Sequence, residues 1–402
     1  MIKDKRKILI YVSFMLIMIA LGASDSMRGI FAGTFEKHFE LTKQGVSAIV
    51  TVSYIGNLVF ILFGGRMSDK FDRKKVCLSI MAFWMAALVL YVLTDNYYCL
   101  LVGMFVSMGA STLMNTMINI LSPDFFGLSA GMIVNTLFFT QGIGTSLNQN
   151  VTGRYAEGYE GFKVVNLILL AFGLAGTVLM FTVRFPENEQ GDKTKAEKKD
   201  KNSGVGRVLK SPAFYLLVFI FGFYFIAEHG IMNWWRMYLT DEVKLDAEKS
   251  SLWLTVFFAG MTVGRLVFSP LVKKLGTKRS IVVFAGLGTL VYVPGMLMGE
   301  KTVFLVGISG LLISIIYPTM VLLINEYFGR DIIATATGFV ISTATIFDIA
   351  FNAAFGKVLD SVGFARGMII FPVSMVVFYV LFLILSKTGG KKNAGTSVGS
   401  AA

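Results

Sequence analysis

The sequence predicts an all-α membrane protein: twelve transmembrane helices in two pseudo-symmetric six-helix bundles, with both termini cytoplasmic. Three observations carry this. Of 402 residues, 55% are hydrophobic and only 15% charged, where a soluble domain carries about 25% charged residues. Twelve stretches are long enough to cross a bilayer, which takes about 20 mostly apolar residues. The second half of the chain also repeats features of the first at a nearly constant offset. The composition excludes other classes as well. The two cysteines, Cys77 and Cys99, give neither a disulfide framework nor a cysteine metal site, and two histidines, His38 and His229, give no histidine-rich one.

The apolar segments fall at 8–35, 44–65, 76–94, 98–121, 126–150, 161–183, 212–239, 249–273, 279–298, 302–326, 332–357 and 363–386. The third, sixth, ninth and twelfth are almost free of charge. The first follows Lys3, Lys5, Arg6 and Lys7, as a signal peptide would. Its apolar stretch is too long for one and shows no small-residue cleavage site, so it reads as a retained helix. Orientation follows from basic residues. With both ends cytoplasmic, 25 of the 37 Lys and Arg lie on that side, 9 on the other and 3 within helices. The formal charge of +12 is therefore a topology signal, and no nucleic-acid partner is expected.

The polar stretch Pro186 to Lys210, with Lys193, Lys195, Lys198, Lys199 and Lys201, reads as a solvated linker. This divides the chain into an N-terminal bundle (1–185), a cytoplasmic linker (186–211), a C-terminal bundle (212–386) and a disordered tail (387–402). A shift of 204 lays Val50-Thr51-Val52 on Leu254-Thr255-Val256, Gly56 on Gly260, Lys74 on Lys278 and Lys75 on Arg279. It also lays Ser24-Asp25 on Glu228-His229. A shift of 207 pairs Gly131 with Gly338 and Gln141 with Asp348. Parallel six-helix repeats, with a site at their interface near the midplane, suit alternating access.

Between the second and third segments the chain reads Gly65-Arg66-Met67-Ser68-Asp69-Lys70-Phe71-Asp72-Arg73-Lys74-Lys75. This resembles the loop signature of the major facilitator superfamily, with Asp72 in place of the usual second glycine. A degenerate copy stands at Lys273-Lys274-Leu275-Gly276-Thr277-Lys278-Arg279. The resemblance covers essentially the whole chain and implies the major facilitator fold. It also implies a gating role for Gly65, Asp69, Arg73 and Lys74, with Asp69 as a latch between the halves; alternatively the basic cluster only sets topology. Gly142, Gly144, Gly153, Gly338 and Gly356 fit that family's close helix packing.

Four acids lie inside helices, Asp25, Glu228, Glu326 and Asp348, with three bases, Arg28, Arg236 and Arg265. A charge at membrane depth is costly unless paired or hydrated, so each is a functional candidate. Asp25 and Arg28 are three apart and within pairing reach on one helix face. Asp25 is either a proton site held by Arg28 or half of a permanent ion pair. Asp348 shares a face with Asn352 and is a further proton candidate, as is Glu228. Glu326 and Arg330 read as a structural pair. Arg265 is a partner for a buried acid or a binder of substrate anion.

The seventh segment reads Tyr224-Phe225-Ile226-Ala227-Glu228-His229-Gly230-Ile231-Met232-Asn233-Trp234-Trp235-Arg236-Met237-Tyr238. Tyr224, Glu228, Trp234 and Tyr238 resemble a pattern of the fucose–galactose–hexose permease branch. Helical spacing instead puts Trp235 on the Glu228 face, so both tryptophans are candidates. Aromatic faces beside a carboxylate suit a sugar; the alternative is an interfacial aromatic belt. His229 tunes a proton step or is a satisfied core histidine. The fourth segment runs Gly109-Ala110-Ser111-Thr112-Leu113-Met114-Asn115 and lacks the branch's acid before the asparagine, which argues against fucose itself. The amides Asn115, Asn119, Asn135, Gln141 and Asn148 bind hydroxyls or hold helices together.

There is no phosphate-binding loop, no nucleophile elbow and no metal spacing, so no enzyme is expected. The expected function is alternating-access secondary transport, most directly proton-coupled uptake of a monosaccharide or sugar acid or other organic anion. Substrate contacts are then expected from Arg28, Asn115, Asn119, Asn135, Gln141, Tyr224, Trp234, Trp235, Arg236, Tyr238 and Asn352. The alternative is proton-driven efflux of a lipophilic drug or metabolite, with the 21 Met and 36 Phe as an adaptable lining. No cofactor is expected beyond the proton gradient. The expected partners are a small solute, the proton and the lipid bilayer, with a monomer in a bacterial inner membrane.

Overall fold

Each apolar stretch of the sequence becomes a long helix, as backbone in a bilayer must satisfy its own hydrogen bonds. The computed structural model describes residues 5–127, 130–153, 158–185, 201–329 and 332–387; side chains at 63–70, 130, 131, 201–204 and 334 lie outside this description. We number the long helices α1 (Lys5–Ile30), α2 (Lys43–Lys70), α3 (Arg73–Leu93), α4 (Tyr97–Phe126), α5 (Ala130–Gly153) and α6 (Tyr159–Thr182). In the second half come α7 (Pro212–Gly230, continuing through Ile231–Trp235 and Arg236–Asp241), α8 (Ala247–Leu275) and α9 (Thr277–Leu297). They are followed by α10 (Val303–Ile313 and Ile316–Tyr327), α11 (Ile333–Val362) and α12 (Ile370–Lys387). Among the described residues, eleven of these are long and apolar enough to span a membrane. The twelfth, α5, carries the amides Asn135, Gln141, Asn148, Gln149 and Asn150.

Two hydrophobic cores form. One gathers buried residues from Ile10 to Val183, around Trp84 and Phe162. The other runs from Val208 to Leu385 and takes in Ala32 and Val46 from the first half. Large apolar side chains such as Phe83, Phe181, Leu290 and Met298 are turned outward. That inverts the soluble pattern and leaves them facing lipid.

The repeat has a packing meaning. α2 lies on α4 and α8 on α10. A Cβ on Gly56 would sit 2.1 Å from the Phe105 carbonyl oxygen, and one on Gly260 would sit 2.9 Å from the Leu311 nitrogen. Gly338, by contrast, stands in open space and packs nothing closely.

Helix ends depart from the sequence expectation for identifiable reasons. α2 runs through the signature to Lys70, so its connection to α3 is only Phe71 and Asp72. Asp72 accepts the Lys75 N–H at 2.9 Å and caps α3, with φ at −55°. The turn therefore needs no glycine there. In α10 the helix breaks at Ser314 and Ile315. Pro318, four residues on, has no N–H to offer the Ser314 carbonyl, and Arg265 Nε donates to that oxygen at 3.4 Å instead. Asp246 caps α8 by accepting the Lys249 N–H at 2.7 Å, which holds its carboxyl below the usual range. α7 contains a π turn at Ile231–Trp235. An extra residue per turn shifts the face of everything beyond it.

The linker stretch 186–200 and the tail 388–402 lie outside the described residues. The end of the linker region is a helix, Lys201–Leu209, with Val208 buried against the second core.

Candidate functional site at the seam between the halves

α1, α2 and α5 of the first half meet α7, α8 and α11 of the second. The contacts cluster at mid-depth and at the end remote from the termini. At that remote end Asp360 accepts the backbone N–H groups of Lys43 (2.9 Å) and Gln44 (3.0 Å). Gln44 Nε2 reaches the Ala353 carbonyl at 3.0 Å, and Ser47 Oγ donates to the Asn352 carbonyl. Lys43 Nζ lies 2.7 Å from Glu36 and 3.5 Å from Asp241. A Cβ on Gly356 would come within 2.5 Å of Gln44 Cα, so only glycine allows α2 and α11 this close. The molecule is thus closed at the end remote from its termini.

At mid-depth the seam is polar. Arg28 lies there, 4% exposed. Its Nε donates to Asn233 Oδ1 at 2.8 Å and its Nη2 to Tyr54 Oη at 3.2 Å. Nη1 and Nη2 also point at the thioether sulfurs of Met108 (3.2 Å) and Met232 (3.1 Å). The guanidinium sits over the Tyr54 ring at 4.7 Å. Asn233 Nδ2 donates to the same Tyr54 oxygen at 3.1 Å. On the other side of Tyr54, stacked at 5.1 Å, lies His229, whose Nδ1 is 2.7 Å from Asp348 Oδ2. Asn352 Nδ2 donates to Asp348 Oδ1 at 3.1 Å. The sequence expected Arg28 to hold Asp25. The two make no direct ion pair, though the charge of Arg28 still acts on the carboxyl: Asp25 Oδ2 accepts from Ser111 at 2.9 Å, and Oδ1 is buried with no hydrogen-bond partner. Arg28 leans across the seam because Asn233 and Tyr54 offer it oxygen acceptors there.

These contacts come from one face of α7. The Met232 carbonyl is pressed against α1 where a Cβ on Gly29 would lie 1.8 Å away. His229, Met232, Asn233 and Arg236 all meet the first half. Trp234 is turned into the second core, edge-on to Phe355 and Phe364, and Trp235 stacks on Tyr238 at 5.4 Å. Both tryptophans are buried, away from the polar seam. Tyr224 is also in that core, its hydroxyl 3.4 Å from the Ile313 carbonyl and its ring against Phe378. Glu228 is half-buried and within electrostatic reach of Tyr224, Tyr292, Tyr317 and His229.

The remaining candidates divide by position. Arg236 braces the closed end, donating to Ser251 Oγ (2.9 Å) and the Ile30 carbonyl (2.7 Å). It borders a pocket of about 570 Å³ with Lys37, His38, Tyr159 and Asp241. Thr112 donates to Asn57 at 2.8 Å beside Asn115, whose Oδ1 is buried without a partner. Asn119 is exposed and donates to the Asn115 carbonyl; Asn135 is exposed near the start of α5. Gln141 is half-buried, with its backbone against Gly22 of α1. Asn148 holds helices, donating to the Ala23 carbonyl at 2.9 Å and Ser26 Oγ at 2.9 Å.

The gating candidates divide similarly. The side chains of Gly65 and Asp69 lie outside the described residues. Arg73 pairs with Asp124, and Lys74 donates to the Phe181 carbonyl at 2.6 Å, both within the first half. Glu326 pairs at 3.6 Å with Lys278; Arg330, the partner the sequence suggests, lies outside the described residues.

Two helical cores thus flank a polar seam, and the sequence match agrees with that architecture in making the chain a membrane transporter. The chain belongs to the Major Facilitator Superfamily, whose sequence profile matches residues 12–346. It is 23% identical over 381 residues to a hexuronate transporter of Bacillus subtilis, covering 89% of each chain. It is 23% identical over 273 residues to a Helicobacter pylori protein named as a glucose/galactose transporter; that match spans 67% of this chain and 64% of the Helicobacter one. Its fold is similar to the nucleoside transporter NupG (TM-score 0.76, 13% identity, 96% of this chain and 100% of that one). It is also similar to the E. coli fucose:proton symporter FucP (TM-score 0.64, 15% identity, 96% and 100%).

Proposed function

We propose that this protein takes up a small hydroxylated solute, a monosaccharide or a sugar acid, together with protons. One observation carries the reading. Three carboxylates, Asp25, Glu228 and Asp348, lie at mid-depth of the helices around the seam, and one oxygen of Asp25 has no partner. A carboxylate at that depth is stable when protonated, paired or hydrated, so solute and proton can bind there in turn. Hydroxyl and amide groups beside it, Ser111, Thr112, Asn57 and Asn115, offer the hydrogen bonds a polyol needs. The names of the two relatives, a glucose/galactose and a hexuronate transporter, support the same solute class.

In the proposed cycle, protonation of Asp25 or Glu228 from outside weakens their interactions and permits solute to bind. The halves then rock, the remote end closes through α2 and α11, and the Asp69 latch opens. With both termini cytoplasmic in an inner membrane, the remote end joined by α2 and α11 is the outer mouth.

The test is external pH, read by electrode in a weakly buffered suspension of de-energised cells expressing the protein. Monosaccharides, sugar acids and other organic acids are added one at a time. Alkalinisation on adding solute, lost in Glu228→Gln or Asp25→Asn, is the expected result. No pH change with any of them overturns uptake and favours efflux of a lipophilic compound, to be measured in drug-loaded vesicles.

A further inference from the structure

We infer that the solute is a sugar acid and that Arg28 anchors its carboxylate; this rests on the uptake reading above and narrows it. Arg28 is the reason. A buried guanidinium is normally matched by an anion. Here, among the described residues, no carboxylate oxygen lies within 4.0 Å of it. Its partners are one amide, one phenol and two thioethers. Thioether sulfur is a weak acceptor, yet it takes an N–H from each of the terminal nitrogens, at 3.2 Å and 3.1 Å. Nη1 is thus spent on a sulfur, and Nη2 divides between a sulfur and the Tyr54 hydroxyl.

The arrangement is one a carboxylate can enter. Nε stays tied to Asn233 at 2.8 Å, and the Tyr54 ring backs the guanidinium plane. That fixes the fork and aims Nη1 and Nη2 together. Methionine has three rotatable bonds and repacks readily, and Met232 is only half-buried. When the two sulfurs swing aside, the paired nitrogens present the planar geometry that a carboxylate accepts bidentately. The anchor also spans the seam. Met108 and Tyr54 belong to the first half, Asn233 and Met232 to the second, so a bound carboxylate touches both moving bodies.

The surroundings ask for hydroxyls on the rest of the solute. Asp25 Oδ1 and Asn115 Oδ1 are buried acceptors without donors. Aliphatic acids would leave both unsatisfied, at a cost. The neighbouring charges couple the anion to a proton. Asp25 of α1 is three residues from Arg28, His229 of α7 stacks on Tyr54 with Glu228 next to it in the chain, and Asp348 reaches His229 from α11. A second anion beside ionised Asp25 is repelled; beside protonated Asp25 it is hydrogen-bonded. One carboxylate and one proton then cross together, and their charges cancel.

The test uses the purified full-length protein in proteoliposomes. Galacturonate, glucuronate and gluconate are compared with glucose and galactose, first under an inside-alkaline pH gradient with the potential clamped, then under a potential alone. Expected is accumulation of the acids by the pH gradient, little by the potential, and uptake of the neutral sugars at least about tenfold weaker. Arg28→Lys keeps the charge without the fork and should raise the KM for the acid about ten- to hundredfold. If that variant fails to fold, protection of the wild-type protein against thermal unfolding by the acids, and not by the neutral sugars, reads the same preference. Proton-driven uptake of neutral sugars alone overturns this inference and leaves the broader reading standing. Uptake of neither class overturns both.

Discussion

The Asp360 carboxylate of α11 caps the first turn of α2, accepting the Lys43 N–H at 2.9 Å from the opposite half of the molecule. An N-cap ordinarily belongs to its own helix. This one exists only while the halves are together at the remote end, so its free energy acts on the transport equilibrium.

Asp360→Ala should therefore shift conformation rather than unfold the protein. Loss of a cap costs about 1 kcal/mol, which is roughly fivefold in an equilibrium. Spin-label distances across the remote end should show the open population rising by about that factor. An unchanged distribution would make the cap energetically silent.

Gly356→Leu should have a larger effect on the same equilibrium. Its side chain would occupy the space of the Gln44 and Lys43 backbone, and overpacking of this kind costs about 1–3 kcal/mol. The expected variant is held open at the remote end, binds solute from that side and fails to exchange it. Normal solute counterflow would show that α2 and α11 separate further than the structure implies.

Asp25→Asn should uncouple. The Ser111 contact at 2.9 Å can be kept by an amide oxygen, so packing survives while the proton site is lost. Solute counterflow should persist and proton-driven accumulation should disappear. Accumulation at the wild-type level would move the proton to Glu228 or to the His229–Asp348 pair.

Pro318→Ala should stabilise α10. It restores an N–H for the Ser314 carbonyl and removes a helix breaker, a gain of up to about 3 kcal/mol. The thermal midpoint should rise, and Arg265 should lose its acceptor. A falling midpoint would show that the break at Ser314 is imposed by packing and not by the proline.

Much of the fold could be read from the chain, because apolar length and charge placement are local properties. The candidate acids could be read as well: Asp25, Glu228 and Asp348 are conspicuous in apolar helices. Their partners could not. Arg28 looks bound to Asp25 when spacing on one helix is all that is known. Its turn toward Asn233 and Tyr54 depends on where the second half sits. The register of α7 was hidden for a different reason. Regular spacing puts His229, Met232, Asn233 and Arg236 on one face of α7, but nothing in the chain says that this face, rather than the one with Tyr224 and Trp235, meets the first half. Tyr54 and Asn233 had one faint signal, each a polar residue in a largely apolar helix. Asp360 had none, since it follows the stretch read as the eleventh segment.

Apart from Ala32 and Val46, each apolar core draws on its own half, and the groups proposed to meet the solute lie between them. Thermal robustness and solute preference are therefore written in different residues. Exchanges at Met108, Met232, Asn115 or Asn233 can retune what is carried while Trp84, Phe162, Trp234 and Phe371 keep each body intact.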